Sequence, residues 1–313
     1  EVEPLKRITP DVPCTTNLMG IYPGINYFDL AKDLDFVCWD SYPQWESTEN
    51  DIATAQFFSF EHDLTRGLKG GKPFFLMESC PSATNWRPYA RLHRPGVHAL
   101  QSMQAVGHGA DSVQYFQFRK SRGSSEKFHG AVVDHCGHEH TRVFAEIADL
   151  GKLLAQMDDI VGTTVPARVA LVYDWENRWA LEDAQGLCNV NKKYVETVMD
   201  HYSALWRRGV SVDIVDQASD FAGHDVLIAP FSYMLRGDFA LRVDEFVQAG
   251  GTFVTTYGTG YVDDSDLCFL GGFPGPLKKT LGLWAEEIDV LMPGMENHAQ
   301  LDGARYALTD YAE

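Results

Sequence analysis

The sequence has no uninterrupted apolar run of about 18 residues, which is the length that a helix needs to cross a membrane. Positive charge is also scarce, because 26 lysines and arginines face 44 aspartates and glutamates and leave a net charge of −18. A surface that acidic repels phosphate backbones and anionic lipid headgroups. We therefore expect neither a nucleic-acid partner nor a membrane partner.

The cysteines contain no C-x-x-C pair, and the chain has no repeat or low-complexity tract. Without the closely spaced ligand pairs of common zinc sites, the cysteines alone do not predict a metal. Scattered free thiols are typical of a reducing compartment, which favours a cytoplasmic protein. The six cysteines are Cys14, Cys38, Cys80, Cys136, Cys188 and Cys268.

With 313 residues and 45% apolar residues, the chain has the size and composition of about two globular domains. In the first half, apolar, β-prone runs alternate with segments of helical spacing, which indicates a parallel sheet. "VGTTVPARV" (161–169) has the glycine, threonines and proline of a boundary, so we predict domains at 1–160 and 161–313. The second half alternates strand and helix in an open, doubly wound pattern. The last thirty residues stay unassigned.

Each strand predicted in the first half ends in polar side chains, and the fourth, "DSVQYFQFR" (111–119), ends in Gln117 and Arg119. The third, "KPFFLMES", runs through four apolar residues into Glu78. Catalytic groups of parallel barrels and α/β sheets lie at the carboxyl ends of strands. A carboxylate that ends a buried apolar run is costly if unpaired, so Glu78 is a candidate catalytic residue. The alternative is that Glu78 simply reaches water at the end of the strand.

The segment after the fourth strand, "FRKSRGSSEKFHGAVVDHCGH" (118–138), is rich in charge and histidine. Long polar loops in compact domains are usually functional. An indole can stack on the apolar face of a pyranose while carboxylates and imidazoles bind its hydroxyls, and Trp86, Glu126 and His129 fit those roles. A solvated loop and a core tryptophan are the alternatives. A metal site from His129, His135 and His138 is less favoured, because no familiar ligand spacing supports it.

Two long motifs, "FFLMESCPSATNWRPY" and "RPGVHALQSMQAVGHGADSVQYFQFRKSRGSSEKFHGAVVDH", closely resemble the family 42 glycoside hydrolases. These are β-galactosidases with a TIM (β/α)8 barrel. "TTNLMG" and "FVCWDSYP" also resemble that family's fifth and sixth strand motifs. The resemblance covers nearly the whole chain.

The resemblance implies roles for individual residues. Glu78 stands at the position of the catalytic nucleophile of a retaining mechanism. Trp86, Glu126 and His129 stand at sugar-binding positions, and Tyr42 resembles the sixth-strand tyrosine near the nucleophile. The implied activity is hydrolysis of terminal β-D-galactosides, without a cofactor.

The same resemblance implies that the chain holds only part of the enzyme. The family's acid/base glutamate lies in an Asn-Glu dipeptide on the fourth strand, and this sequence has no Asn-Glu. We therefore expect barrel strands one to four, the acid/base residue and the family's zinc-binding cysteines to lie upstream of Glu1. The predicted fold is barrel strands 5–8, then a flavodoxin-like, amidotransferase-like domain that forms homotrimers and is itself incomplete.

Two functional hypotheses follow. The first is a retaining β-galactosidase whose 313-residue segment is inactive by itself. The second is a non-catalytic trimerisation or ligand-binding module. Amidotransfer is disfavoured, because the turn "TTYGTG" (255–260) lacks the cysteine that amidotransferases carry there.

Overall fold

A computed structural model describes residues 2–45, 50–186, 188–190 and 192–313. They form two compact units that divide between Pro166 and Ala167, within the segment predicted as a boundary. Within the described ranges, no helix combines the length and the apolar character needed to span a bilayer.

The first unit contains a sheet of four parallel strands whose spatial order follows the chain. Sequential parallel strands joined by helices are the arrangement of a (β/α)8 barrel. The strands are β1 (Asn17–Leu18), β2 (Cys38–Ser41), β3 (Phe74–Ser79) and β4 (Ala110–Val113). The helices are α1 (Val2–Ile8), α2 (Tyr27–Lys32), α3 (Asp51–Gly67), α4 (Val97–Gly107) and α5 (Arg142–Leu154), followed by a 3₁₀ turn (Asp158–Ile160).

One face of this sheet packs on α3. Phe74 and Leu76 of β3 are fully buried on this face, as is Trp39 of β2. The Trp39 indole donates to His62 Nδ1 of α3 at 3.1 Å, and the His62 ring stacks on Phe74 with centroids 5.6 Å apart. Burial lowers the pKa of His62 well below its usual value, so the imidazole stays neutral and accepts this hydrogen bond.

A register shift sets the direction of the polar residues at the end of β3. Trp39 pairs with Leu76, but the next pair joins Asp40 to Glu78, so Met77 is an extra residue in β3. An extra residue turns the side chains that follow it to the other face of the strand. Glu78 therefore lies beside Asp40, on the face opposite α3.

The second unit has a parallel sheet in the order β6-β5-β7-β8, as in doubly wound folds. These strands are β5 (Val169–Val172), β6 (Val212–Val215), β7 (Val226–Ala229) and β8 (Thr252–Thr255). The helices are α6 (Trp175–Asp183), α7 (Tyr194–Trp206), α8 (Phe239–Gln248) and α9 (Lys278–Leu281), with a 3₁₀ turn at Gly275–Leu277. The core lies between the sheet and α8, where Leu227, Phe239 and Val243 are fully buried.

The end of the chain, unassigned from the sequence, forms two antiparallel pairs. β9 (Asp289–Val290) pairs with β12 (Tyr311–Ala312), and β10 (Asn297–Leu301) pairs with β11 (Ala304–Leu308). Asp302 and Gly303 connect β10 to β11, with φ of 51° and 80°. Two positive φ values are what a type I′ hairpin turn requires, and Asp-Gly is a favoured sequence for it. This signal was present in the sequence.

The predicted fourth strand, 111–119, is wrong at its end. β4 stops at Val113, and Gln117 and Arg119 lie on the irregular segment beyond it. That segment bonds to the loop that follows, because Val132 N donates to Gln117 O at 3.0 Å and Lys120 N to Val133 O at 3.0 Å. The β-prone run of aromatic residues therefore leads into a segment that is hydrogen-bonded to the following loop, and it does not extend β4.

Candidate active site

Glu78 and Tyr42 are joined directly at the carboxyl end of the first sheet. The Tyr42 hydroxyl donates to Glu78 Oε2 at 2.6 Å. Burial raises the pKa of the Tyr42 phenol, and the hydrogen bond to Glu78 raises it further. Tyr42 is therefore a protonated donor at neutral pH. It leaves Glu78 Oε1 without this constraint, on a half-buried side chain that solvent or a ligand can reach.

Asp40 places a second carboxyl group beside Glu78. Asn17 of β1 donates to Asp40 Oδ2 at 2.5 Å, while Oδ1 is buried and has no hydrogen-bond partner among the described residues. Burial raises the pKa of Asp40 to about 6, the Asn17 amide opposes the rise, and the Glu78 charge adds to it. A carboxyl group whose pKa is raised by burial, beside a second carboxyl group, is a common feature of active sites.

His129 lies in the loop after β4 and faces the same site. Its Nδ1 lies 3.1 Å from Asn85 Oδ1, and its ring meets the Tyr42 ring edge-on with centroids 5.7 Å apart. His129 Nε2 is buried, and no described residue bonds to it. Burial lowers the pKa of His129, against the opposing pull of the Glu126 and Glu78 carboxylates. The neutral imidazole therefore offers one free ring nitrogen to a ligand.

Tight packing holds the His129 loop against the loop after β3. A Cβ at Gly130 would lie 2.5 Å from Ser82 Oγ and 2.8 Å from Ala83 N, so only glycine fits there. Gly130 N donates to Ala83 O at 2.7 Å. Glu126 lies in the same loop, and its carbonyl oxygen accepts from His129 N at 2.9 Å. The Glu126 side chain is half-buried.

Trp86 forms the exposed side of the site. Its indole is 53% exposed, although its edge contacts the Tyr42 ring at a centroid distance of 5.7 Å. Arg87 lies over the indole, with Cζ 4.7 Å from the ring centroid. An aromatic face this open is available for stacking on a ligand.

The structure thus brings together Glu78, Tyr42, Trp86 and His129, with Glu126 close enough to His129 to influence its charge. Sequence reasoning did not find the contacts of Asn85 with His129 or of Arg87 with Tyr42. Their only signal was their place beside Trp86 in "TNWRP".

His129, His135 and His138 do not form a metal site. His129 is buried in the site, whereas His135 and His138 are exposed. Within the part of the chain that the structure describes, no group of three or more His, Cys, Asp or Glu side chains is arranged to hold a metal ion. These residues therefore do not fit a zinc site.

Two family models match the chain. Residues 1–157 match the glycosyl hydrolase family 42 model, described as β-galactosidase, and residues 167–313 match the model of the β-galactosidase trimerisation domain. β-Galactosidase Pbg of Clostridium perfringens is 52% identical over 301 residues, which are 95% of this chain and 44% of that protein.

Solved structures show the same likeness. The cold-adapted β-galactosidase from Rahnella sp. R3 matches 99% of this chain and 47% of its own, with a TM-score of 0.95 and 51% identity. Gan42B, a GH42 β-galactosidase from G. stearothermophilus, matches with a TM-score of 0.95 and 45% identity, over 100% of this chain and 46% of its own. The chain spans about half the length of these relatives. The predicted fold, a second half of a barrel followed by a flavodoxin-like domain, is confirmed.

Proposed function

The chain belongs to the family 42 glycoside hydrolases, and from that membership we propose that it supplies the nucleophile half of a retaining β-galactosidase. The observation that carries the proposal is the 2.6 Å hydrogen bond from Tyr42 to Glu78 inside a ring of stacking and hydrogen-bonding side chains. Hydrolysis of terminal β-D-galactosides is the activity of this site.

Glu78 is the nucleophile of this proposal. One carboxylate oxygen attacks the anomeric carbon, the bond to the leaving oxygen breaks, and a galactosyl ester of Glu78 forms. Water then attacks the same carbon and gives its proton to a second carboxyl group of the enzyme, the bond to Glu78 breaks, and galactose leaves with its configuration retained. Tyr42 holds the other oxygen, Oε2, by its 2.6 Å hydrogen bond, so that Glu78 presents Oε1 to the sugar.

Trp86, Glu126 and His129 bind the galactose ring. The exposed indole of Trp86 offers a flat surface for the apolar face of the sugar. The unbonded His129 Nε2 and the half-buried Glu126 carboxylate supply hydrogen bonds to its hydroxyls. A sugar hydroxyl on Nε2 would satisfy a buried polar atom, which is why binding there is favourable.

The reaction needs a second carboxyl group, about 5–5.5 Å from the nucleophile and across the sugar ring, to protonate the leaving oxygen. Asp40 does not suit that role, because it lies on the strand next to Glu78 and in register with it, on the same side of a bound sugar. We assign the role to a glutamate upstream of Glu1. The 313 residues alone are therefore expected to be inactive towards β-galactosides.

The second unit mediates assembly. Its residues 167–313 match a trimerisation-domain model, so we propose that the protein forms a homotrimer through this unit. No step of the proposed reaction uses a metal or an organic cofactor.

The decisive experiment is covalent trapping. The protein is expressed from its complete coding sequence and incubated with a 2-deoxy-2-fluoro-β-galactoside that carries an activated leaving group. We expect a mass increase of one fluorogalactosyl group, which peptide mapping locates on Glu78. Glu78→Gln is the matched control and should stay unlabelled.

Two outcomes would contradict the proposal. One is a label on a residue other than Glu78. The other is a trimer by light scattering that neither binds galactose nor takes up the label, which would instead favour the non-catalytic module. An assay of the 313-residue chain on an aryl β-galactoside tests the expected inactivity, and turnover equal to that of the complete protein would refute it.

A further inference from the structure

Arg87 makes two contacts that link the proposed sugar site to its frame. Its Nη2 donates to the main-chain oxygen of Tyr42 at 2.7 Å, and its Cζ lies 4.7 Å from the centre of the Trp86 indole. Arg87 is half-buried. One guanidinium therefore contacts both the residue that bonds to Glu78 and the ring that stacks on the sugar.

The positive charge of Arg87 has no counter-ion among the described residues. No carboxylate of the described residues forms an ion pair with it, and its Nε is buried without a partner among them. A half-buried cation without a counter-ion weakens the fold, because burial removes its hydration. A hydrogen bond to a carbonyl oxygen and a contact with an aromatic face offset only part of the lost hydration free energy. Arg87 is thus poorly explained as a residue that stabilises the loop.

We propose that Arg87 is a positioning residue of this site: it clamps Tyr42 against Trp86 so that the Tyr42 hydroxyl stays bonded to Glu78. This inference rests on the proposed function. Tyr42 follows β2 directly. Its ring meets the rings of Trp86 and His129 edge to face, with the ring centroids 5.7 Å apart in each pair. Edge contacts allow a ring to slide, whereas a directed hydrogen bond to the main chain does not.

The clamp predicts a specific kinetic defect. Without Arg87, the Tyr42 hydroxyl samples positions away from Glu78 Oε2, and the carboxylate loses its fixed orientation. Misplacing reacting groups slows the reaction itself. A residue that only stabilised the loop would instead lower the fraction of folded, active protein and leave the rate per active site unchanged.

The test compares Arg87→Met, Arg87→Lys and the control Arg122→Met in the protein expressed from its complete coding sequence. Arg122 is an exposed arginine of the loop after β4. Active sites are counted by fluorogalactosyl labelling, and kcat and KM are given per labelled site. We expect Arg87→Met to lower kcat/KM by about tenfold, the effect of one hydrogen bond in an active site. Arg87→Lys should recover part of the loss, and Arg122→Met should show none.

A double-mutant cycle tests whether Arg87 acts through the Tyr42 hydroxyl. Tyr42→Phe removes the hydroxyl and keeps the ring. If Arg87 positions that hydroxyl, Arg87→Met should cost less than about twofold in the Tyr42→Phe background, because contacting residues in one network are not additive. An equal loss in both backgrounds would overturn the inference.

The remaining outcomes are also decisive. If Arg87→Met lowers only the labelled fraction, the residue is structural and the inference is wrong. If the unsubstituted protein is labelled at Glu78 but Arg87→Met matches it in rate, the inference fails while the proposed function stands. If the unsubstituted protein takes no label at Glu78, the proposed function and this inference fall together.

Discussion

The two parallel sheets of this chain differ in whether the polar groups near their carboxyl ends have hydrogen-bond or ion-pair partners. In the second unit, Arg236 Nη1 lies 2.8 Å from the fully buried Asp174, and its Nε lies 2.7 Å from Glu176. Asp174 also accepts the main-chain N–H groups of Asn177 and Gln217 at 3.0 and 3.1 Å. These charged groups are therefore paired within the unit.

In the first unit, by contrast, some buried polar atoms have no hydrogen-bond partner among the described residues. They include Asp40 Oδ1 in β2, and Gln117 Nε2 and His129 Nε2 beyond the end of β4, whereas the described part of the second unit contains no such side-chain atom. Because buried polar groups in folded proteins are nearly always bonded, unbonded ones call for an explanation. This difference is what we expect if the carboxyl end of the first sheet binds a ligand and that of the second sheet is structural.

The comparison predicts its largest effect at Glu78. Glu78→Gln keeps the size of the side chain and can still accept the Tyr42 hydrogen bond, but it removes the proposed nucleophile. We expect kcat to fall by at least about 10³-fold with little change in thermal stability, because loss of a nucleophile removes the covalent route. Steady-state kinetics and thermal unfolding of the complete protein measure both. Retention of more than about one tenth of kcat would mean that this carboxylate does not attack the sugar.

The next largest effect is expected at Asp174, on stability rather than activity. Asp174→Ala leaves Arg236, itself 18% exposed, without its most buried partner and two main-chain donors unsatisfied. Removing one partner of a buried pair costs about 3–5 kcal/mol in the free energy of unfolding. Denaturant unfolding measures it, and the rate per labelled site should stay unchanged.

The matched control is the ion pair of Arg168 and Asp225, whose side chains are 84% and 50% exposed. Arg168→Met should leave the free energy of unfolding almost unchanged, because exposed ion pairs contribute little to stability. Equal losses for the two variants would show that the Asp174 network is not the structural counterpart of the first site.

What the sequence could predict follows from local pattern. The apolar run of β3 and the carboxylate at its end are read directly from "FFLMES", which is why Glu78 was found. The bounds of helix α3 were not predicted from the sequence, and its buried residues include Gln56, Glu61 and Asp63. Polar residues on a buried face weaken the apolar periodicity from which helices are recognised.

The contacts of the site depend on segments far apart in the chain. Arg87 reaches Tyr42 across 45 residues, and Asn85 reaches His129 across 44. The extra residue Met77, which turns Glu78 towards Asp40, exists only relative to the neighbouring strand. No local pattern encodes such pairings, so the sequence could name candidates for the site but not their partners.

A third, smaller effect is expected at Asp40. An ionised carboxyl group that is buried in the proposed site should lower the free energy of unfolding. Burial raises the pKa of Asp40 to about 6. Between about pH 4, where the unfolded chain loses this proton, and about pH 6, stability should therefore fall as pH rises. Asp40→Asn should stabilise the protein by about 2 kcal/mol at pH 8 and by almost nothing at pH 4. Denaturant unfolding at both pH values measures the gain, and a gain independent of pH would contradict the burial of an ionised Asp40.

The smallest effect is expected at His224 of the second unit, where a titrating group should strengthen the fold. Its Nε2 lies 3.0 Å from Asp213 Oδ2 and its Nδ1 3.2 Å from Phe221 O, so the protonated ring has two acceptors. The hydrogen bond to Asp213 raises the pKa of His224 against the opposing effect of burial. This stabilisation is complete below about pH 6.5 and disappears as pH rises through the folded-state pKa. His224→Gln should therefore cost up to about 1 kcal/mol at pH 6 and less at pH 9, and Asp213→Asn should show the same trend. If the loss of unfolding free energy in His224→Gln instead grew with pH, the contrast with Asp40 would be wrong. The charged form of His224 would then weaken the fold, as the charged form of Asp40 is expected to do.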